Sequence, residues 1–164
     1  MVNRVRLLIV ALVAVPLLLV AADIIVGDST PIASSPNAHF TSFSVGGKTY
    51  AFTGLATNQS SLAKGLMGAK ITSATKMLFV FPSAGYYSFW MDGVNASLDM
   101  IWIDTPAGSD TGSVVYMQQD APPCSVALVC TTYNPTAKAN YVIEAQGGFA
   151  SADGIQLGTQ VTLR

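Results

Sequence analysis

From Phe40 onward, apolar residues come in short runs broken by Gly, Pro, Ser, Asn and Asp, which is the pattern of a β protein. Phe40–Val45 alternates imperfectly and ends at Gly46-Gly47, and Lys48–Leu55 follows with Tyr50 and Phe52 on one side. A Gly-Gly pair between two such runs predicts a hairpin. Thr57 or Asn58 then caps a short helix, Gln59–Met67, closed by Gly68, with Leu62/Leu66 and Ala63/Met67 each four apart on one face. Met77–Phe81 is a continuous apolar run stopped by Pro82, and Tyr86–Met91 and Leu98–Asp104 are two further strands. In Leu98–Asp104, Leu98, Met100 and Trp102 share one face and Ile101 and Ile103 the other. A strand apolar on both faces is central and covered on both sides. Thr105–Gly112 reads as a loop, and Ser113–Gln118, Asn140–Ala145 and Thr159–Leu163 complete the strands. Many short strands at close spacing predict a small antiparallel β-barrel or sandwich with one short helix.

The N-terminus is different. Arg4 and Arg6 precede an unbroken apolar run from Leu7 to Ala22, and Ile24–Val26 resume it after Asp23. A cleaved signal peptide ending near Val20-Ala21-Ala22 competes here with a transmembrane anchor. As a helix, Leu7 to Gly27 spans about 31 Å, the thickness of a hydrocarbon core. That length favours the anchor, and the Arg pair holds the N-terminus in the cytoplasm, leaving the domain outside. The expected organisation is an anchor over residues 1–27, a Ser/Pro tether over 28–38, and a β domain over 39–164.

Composition narrows the function. Only 10% of residues are charged, against about 25% in ordinary soluble proteins. From His39 onward there are six Lys/Arg and seven Asp/Glu, so no basic stripe exists to bind nucleic acid. One His and two Cys cannot supply a zinc site, and no phosphate loop or dinucleotide fingerprint occurs. No cofactor is expected. Cys124 and Cys130, the only cysteines, are expected to form a disulfide in an oxidising compartment.

Several short motifs then appear in a fixed order: Leu55-Ala56-Thr57, Gly65-Leu66-Met67, Met77-Leu78-Phe79-Val80-Phe81, Phe89-Trp90-Met91 and Leu98-Asp99. Tyr133, Tyr141-Val142-Ile143-Glu144 with Gly147 or Gly148, Gly154-Ile155 and Gly158 continue the series. In this order, from Val45 to Leu163, the chain resembles the prokaryotic family called domain of unknown function 192 (DUF192). The resemblance implies a compact, mostly antiparallel β domain with one short helix, often exported or membrane-tethered, and no known reaction. The chain departs from the family pattern at polar positions. Asp92, Gly93 and Val94 stand where the family has a basic residue, Asn and Thr. Ser97 replaces a Pro, Gly68 or Ala69 an Arg, and Thr159 an acid.

The candidate binding residues are Trp90, Met91, Asp99 and Glu144. Asp99 lies in an apolar strand, and Glu144, the only glutamate, follows Val142-Ile143. A carboxylate there is either a functional acid or an acceptor for backbone N–H groups, and the second reading is preferred for both. Backbone groups, Trp90 or Trp102 are the expected donors. Tyr86, Tyr87 and Trp90 offer a stacking platform for a sugar, although core or interface packing accounts for them as well. Met67, Met77, Met91 and Met100 are read as core filler rather than a copper site, because no His accompanies them. Asn58-Gln59-Ser60 and Asn95-Ala96-Ser97 match the glycosylation pattern. The expected role is a membrane-anchored, extracytoplasmic accessory or structural subunit, with the membrane and other membrane-protein subunits as partners and no catalytic residues. A carbohydrate or small-ligand binding module, and a hydrolase using Asp99 and Glu144, are the alternatives.

Overall fold

The structure, a computed structural model, describes residues 39–124 and 129–164. The expected anchor and tether, residues 1–38, lie outside the described residues. Among the described residues no helix is long and apolar enough to cross a membrane.

The chain runs β1 (Ser42–Val45), β2 (Lys48–Ala51), β3 (Gly54–Ala56), α1 (Gln59–Lys64), β4 (Lys76–Gly85), β5 (Phe89–Trp90) and β6 (Leu98–Asp104). It continues with β7 (Thr111–Ala121), β8 (Thr132–Tyr133), β9 (Ala139–Gln146), α2 (Phe149–Ala152) and β10 (Gln160–Leu163). Eight strands form one sheet in the order β2-β1-β10-β7-β6-β9-β4-β3, and β5 pairs with β8 separately. The sheet is open, with β2 and β3 as its edges, so the expected closed barrel is not formed. Nor is it wholly antiparallel, because β3 and β4 run parallel. A parallel pair needs a crossover rather than a tight turn, and the segment carrying α1 supplies it.

The β1–β2 hairpin forms as the Gly-Gly signal predicts. Gly46 and Gly47 both take positive φ, 57° and 79°, between the paired Val45 and Lys48. Asn58 caps α1 and accepts from the Ser61 N–H at 3.0 Å, while Ser61 Oγ accepts from the Asn58 N–H at 3.1 Å. The helix stops at Gly65, three residues short of the expected end at Gly68. Gly65 adopts φ 47° and ψ −132°, a conformation that essentially only glycine holds. Pro82 does not stop β4, because a register irregularity between Val80 and Gly85 absorbs the missing N–H. The second short helix, α2, and the strand β8 carry no periodic signal and were not expected.

β6 lies between β7 and β9, central and covered on both faces as its pattern requires. On one face, Leu78, Ile101, Ile103 and Ile143 join Phe43 and Leu163 from the far strands in a single cluster. Residues from both halves of the sheet therefore meet, and the sheet curls around them without closing. α2 covers this side through Ala150 and Phe149. On the other face, Phe79, Met100, Trp102 and Val142 are covered by Leu66 from the crossover and by Phe89, Met91 and Val94. Trp102 is fully buried, and its indole N–H donates to the Tyr87 carbonyl at 2.9 Å.

Cys124 and Cys130 are disulfide-bonded, with Cα atoms 5.7 Å apart. Cys124 also bridges the backbone of Asp92 and Val94, so the short loop is tied to the segment after β5. Denatured, unreduced protein should show no reactive thiol on alkylation. Reduction should lower stability by about 2 kcal/mol, since a loop this short restricts the unfolded chain little. Two labelled thiols before reduction would contradict the bridge.

Candidate functional site

The two buried acids have opposite surroundings. Asp99 is fully buried and accepts three backbone N–H groups: Asp120 at 2.8 Å, Gly148 at 3.2 Å and Ala150 at 2.7 Å. The local sequence makes this possible. Leu98 pairs with Ala121 and Met100 with Gln118, so Asp99 alone faces Gln119 and Asp120 across a β-bulge. The bulge holds Asp120 at φ 47°, and Gly148, at φ 86°, turns its own N–H toward the same carboxylate. A Cβ at Gly147 would overlap Ser97 Oγ and Asp120 Oδ1, so any larger residue where β9 turns into α2 has to displace those two side chains.

Glu144 has no such cradle. Its residue is 3% exposed, and its Oε2 has no hydrogen-bond partner among the described residues. Neither Trp90 nor Trp102 satisfies it, contrary to the expectation, because the Trp102 N–H goes to Tyr87. Burial pushes the Glu144 carboxyl up to about 8. The register explains why the acids differ. β6 and β9 pair Asp99 with Ala145 and Met100 with Glu144. Adjacent positions point to opposite faces of a sheet, so Asp99 lies on the Ile101 side and Glu144 on the Met100 side. They form no carboxylate pair, and the two-acid hydrolase arrangement has no geometric basis here.

Glu144 forms part of the lining of a cleft of about 350 Å³, the small end of the range for ligand pockets. α1 and the following turn supply one wall through Leu62, Ala63 and Gly65; Phe79 and Phe81 of β4 and the Tyr87–Trp90 segment supply the rest. The missing side chain of Gly65 matters, since a Cβ there would stand 3.7 Å from Glu144 Oε2 and 3.2 Å from the Phe79 ring. The aromatic wall is ordered. Phe81 and Tyr87 stack with centroids 3.6 Å apart, Phe79 meets Phe89 edge-on at 4.8 Å, and the Tyr87 hydroxyl donates to the Ser83 carbonyl at 2.8 Å. Trp90 and Tyr86 stand at the rim, 55% and 60% exposed.

Of the residues read from sequence as candidates, the cleft brings together Trp90 and Glu144 and excludes two. Met91 is buried in the core, and Asp99 is on the far face. Sequence reading missed Gly65, Phe79, Phe81 and Asp92 as lining residues. Asp92 had a signal, because it occupies a position where the chain departs from the family pattern. A third buried ionisable side chain, Lys76, needs no ligand. Its Nζ donates to the Ser73 carbonyl at 2.7 Å and lies 4.3 Å from the Phe149 ring centroid, and burial lowers its pKa. Among the described residues no three His, Cys, Asp or Glu side chains come together as a metal site.

Comparison with known proteins agrees with the fold. The sequence pattern of the DUF192 family, described as "Uncharacterized ACR", matches residues 43–163. A protein of unknown function from Novosphingobium aromaticivorans DSM 12444 has a similar crystal structure, with TM-score 0.61 and 25% identity over 74% of this chain and 84% of its own. A protein from Sinorhizobium meliloti 1021, described as a "putative transcription regulator", is similar with TM-score 0.61 and 25% identity over 74% of this chain and 90% of its own. No curated protein matches the chain.

Two substitutions should separate the acids. Asp99→Asn replaces an acceptor oxygen with a donor facing backbone N–H groups, and should cost about 1–3 kcal/mol of stability in denaturant melts. An unchanged midpoint would remove its structural role. Glu144 should act through pH. Its carboxyl titrates near the ordinary value in the unfolded chain and near 8 in the folded one. Between those limits the folded state holds a proton that the unfolded state has released. Its contribution is therefore full below about pH 4.5 and falls as pH rises toward 8, by up to about 1.4 kcal/mol per pH unit. Glu144→Gln should abolish that decline. Parallel stability curves for the two proteins between pH 5 and 8 would rule it out.

Proposed function

We propose, for a chain that belongs to the DUF192 family, that this domain binds a small ligand in the cleft over Glu144. The observation that carries the reading is the buried, unpartnered Oε2 of Glu144 in the lining of an aromatic-walled cleft. A buried polar atom without a partner costs about 1–3 kcal/mol, and a site that keeps one gains when a ligand completes it. The low-charge, aromatic wall supports a ligand with a flat apolar body and one hydrogen-bonding group, rather than a sugar with many hydroxyls. An accessory-subunit role is less well supported, since the exposed aromatics Trp90 and Tyr86 gather at this cleft rather than on a broad flat face. The disulfide and the Arg4/Arg6 flank support placing the domain outside the cytoplasm.

Ligand-observed NMR with a library of small aromatic fragments tests the reading. Some fragments should bind the wild-type protein and lose binding to Ala63→Trp, whose exposed site on the cleft wall lets an indole fill the space without touching the core. The same fragments binding both proteins equally, or none binding at all, would defeat it.

A further inference from the structure

We propose that the cleft selects a primary organic ammonium, seating the cationic group on the Glu144 carboxylate and the flat apolar body between the Phe81–Tyr87 stack and Trp90. The inference rests on the ligand-binding reading above and names its chemical class. Four features support it. Glu144 presents an acceptor that nothing in the described protein occupies. The ionisable groups lining the cleft are Lys64 from α1, Tyr86 and Tyr87, Asp92, and Glu144, and Lys64 is the one cation among them. The paired positions beside Glu144, Met77 on β4 and Met100 on β6, carry no charge. Phe79, Phe81, Tyr87, Phe89 and Trp90 line much of the cleft, and an aromatic ring's negative quadrupole attracts a cation.

The chemistry is also proton-linked. In the empty site burial favours the neutral acid of Glu144. An arriving ammonium favours the carboxylate, so binding expels the carboxyl proton to solvent while the amine keeps its own. Nothing else forms or breaks. A neutral alcohol of the same shape can hydrogen-bond the acid but has no reason to release that proton.

Isothermal titration of the full chain with tryptamine, and with its neutral alcohol analogue tryptophol, tests the assignment. Each titration is run near pH 7 in two buffers of different ionisation enthalpy. Tryptamine should bind about tenfold more tightly than tryptophol or better, and release close to one proton. Glu144→Gln should lose the tryptamine preference and the proton release while still binding tryptophol. Asp92→Asn should weaken tryptamine a few-fold and leave proton release intact. Equal affinity for the two compounds without proton release would overturn the ammonium assignment and leave the cleft as a ligand site. So would binding of tryptamine unchanged by Glu144→Gln. If neither compound binds but other fragments still occupy the cleft, the ammonium assignment fails alone. If nothing binds, it fails together with the ligand-binding reading.

Discussion

The Asp99 carboxylate is the constraint on which the rest of the structure depends. Its three backbone donors come from the β7 bulge, from the turn after β9, and from the first turn of α2. A carboxylate buried without such donors would be costly, so the segments that supply them must converge when β6 is buried. That convergence fixes the β6–β9 register at Asp99 opposite Ala145. A slip of one residue would turn Glu144 onto the Asp99 face and move the isoleucines off their core. It also seats α2, which packs Ala150 and Phe149 against the core on the Ile101 face.

The same register determines where the second acid lies. Ladder hydrogen bonds within the sheet already use the backbone groups near Glu144, so none is free to turn toward its side chain. Bulges and helix starts liberate N–H groups, and this face of β9 has neither beside Glu144. The contrast between the acids is therefore topological rather than compositional: one lies beside irregular backbone and the other inside regular ladder. The regular location is the unfavourable one for an acid, because nothing beside it among the described residues offers a donor.

Much of the architecture was legible because it follows from local rules. The two-faced run at Leu98–Asp104 identifies a central strand, Gly46-Gly47 a hairpin, and Thr57 or Asn58 a helix start. What escaped depends on non-local geometry. Nothing in Gly54–Ala56 announces a parallel partner, and closure of a curled sheet depends on whether its edge strands meet, which no residue pattern records. α2 is four residues long and owes its position to Asp99 more than to its own sequence. For the site, sequence supplied Trp90 and Glu144 by residue type, but it gave Asp99 and Glu144 the same reading because their apolar flanks look alike. Only the register separates them.

The cleft follows from the parallel pairing of β3 with β4. Joining β3 to its parallel neighbour β4 requires a crossover, and residues 57–75 supply it with only the six-residue α1 as regular helix. α1 itself contributes no fully buried residue, and the crossover rests on the sheet through buried Leu66 and partly buried Leu62, Ala69 and Ile71. A segment that covers a sheet this lightly leaves space beneath it, and the space opens over the β4–β9 ladder, where Glu144 stands. Gly65 ends the helix in a conformation closed to other residues and, by lacking a side chain, keeps that space from being filled. Across from it, the Trp102 indole holds the Tyr87 carbonyl, fixing the aromatic segment that forms the opposite wall. A central strand with no group in the cleft thus anchors one wall, while the crossover required by the parallel edge supplies the other.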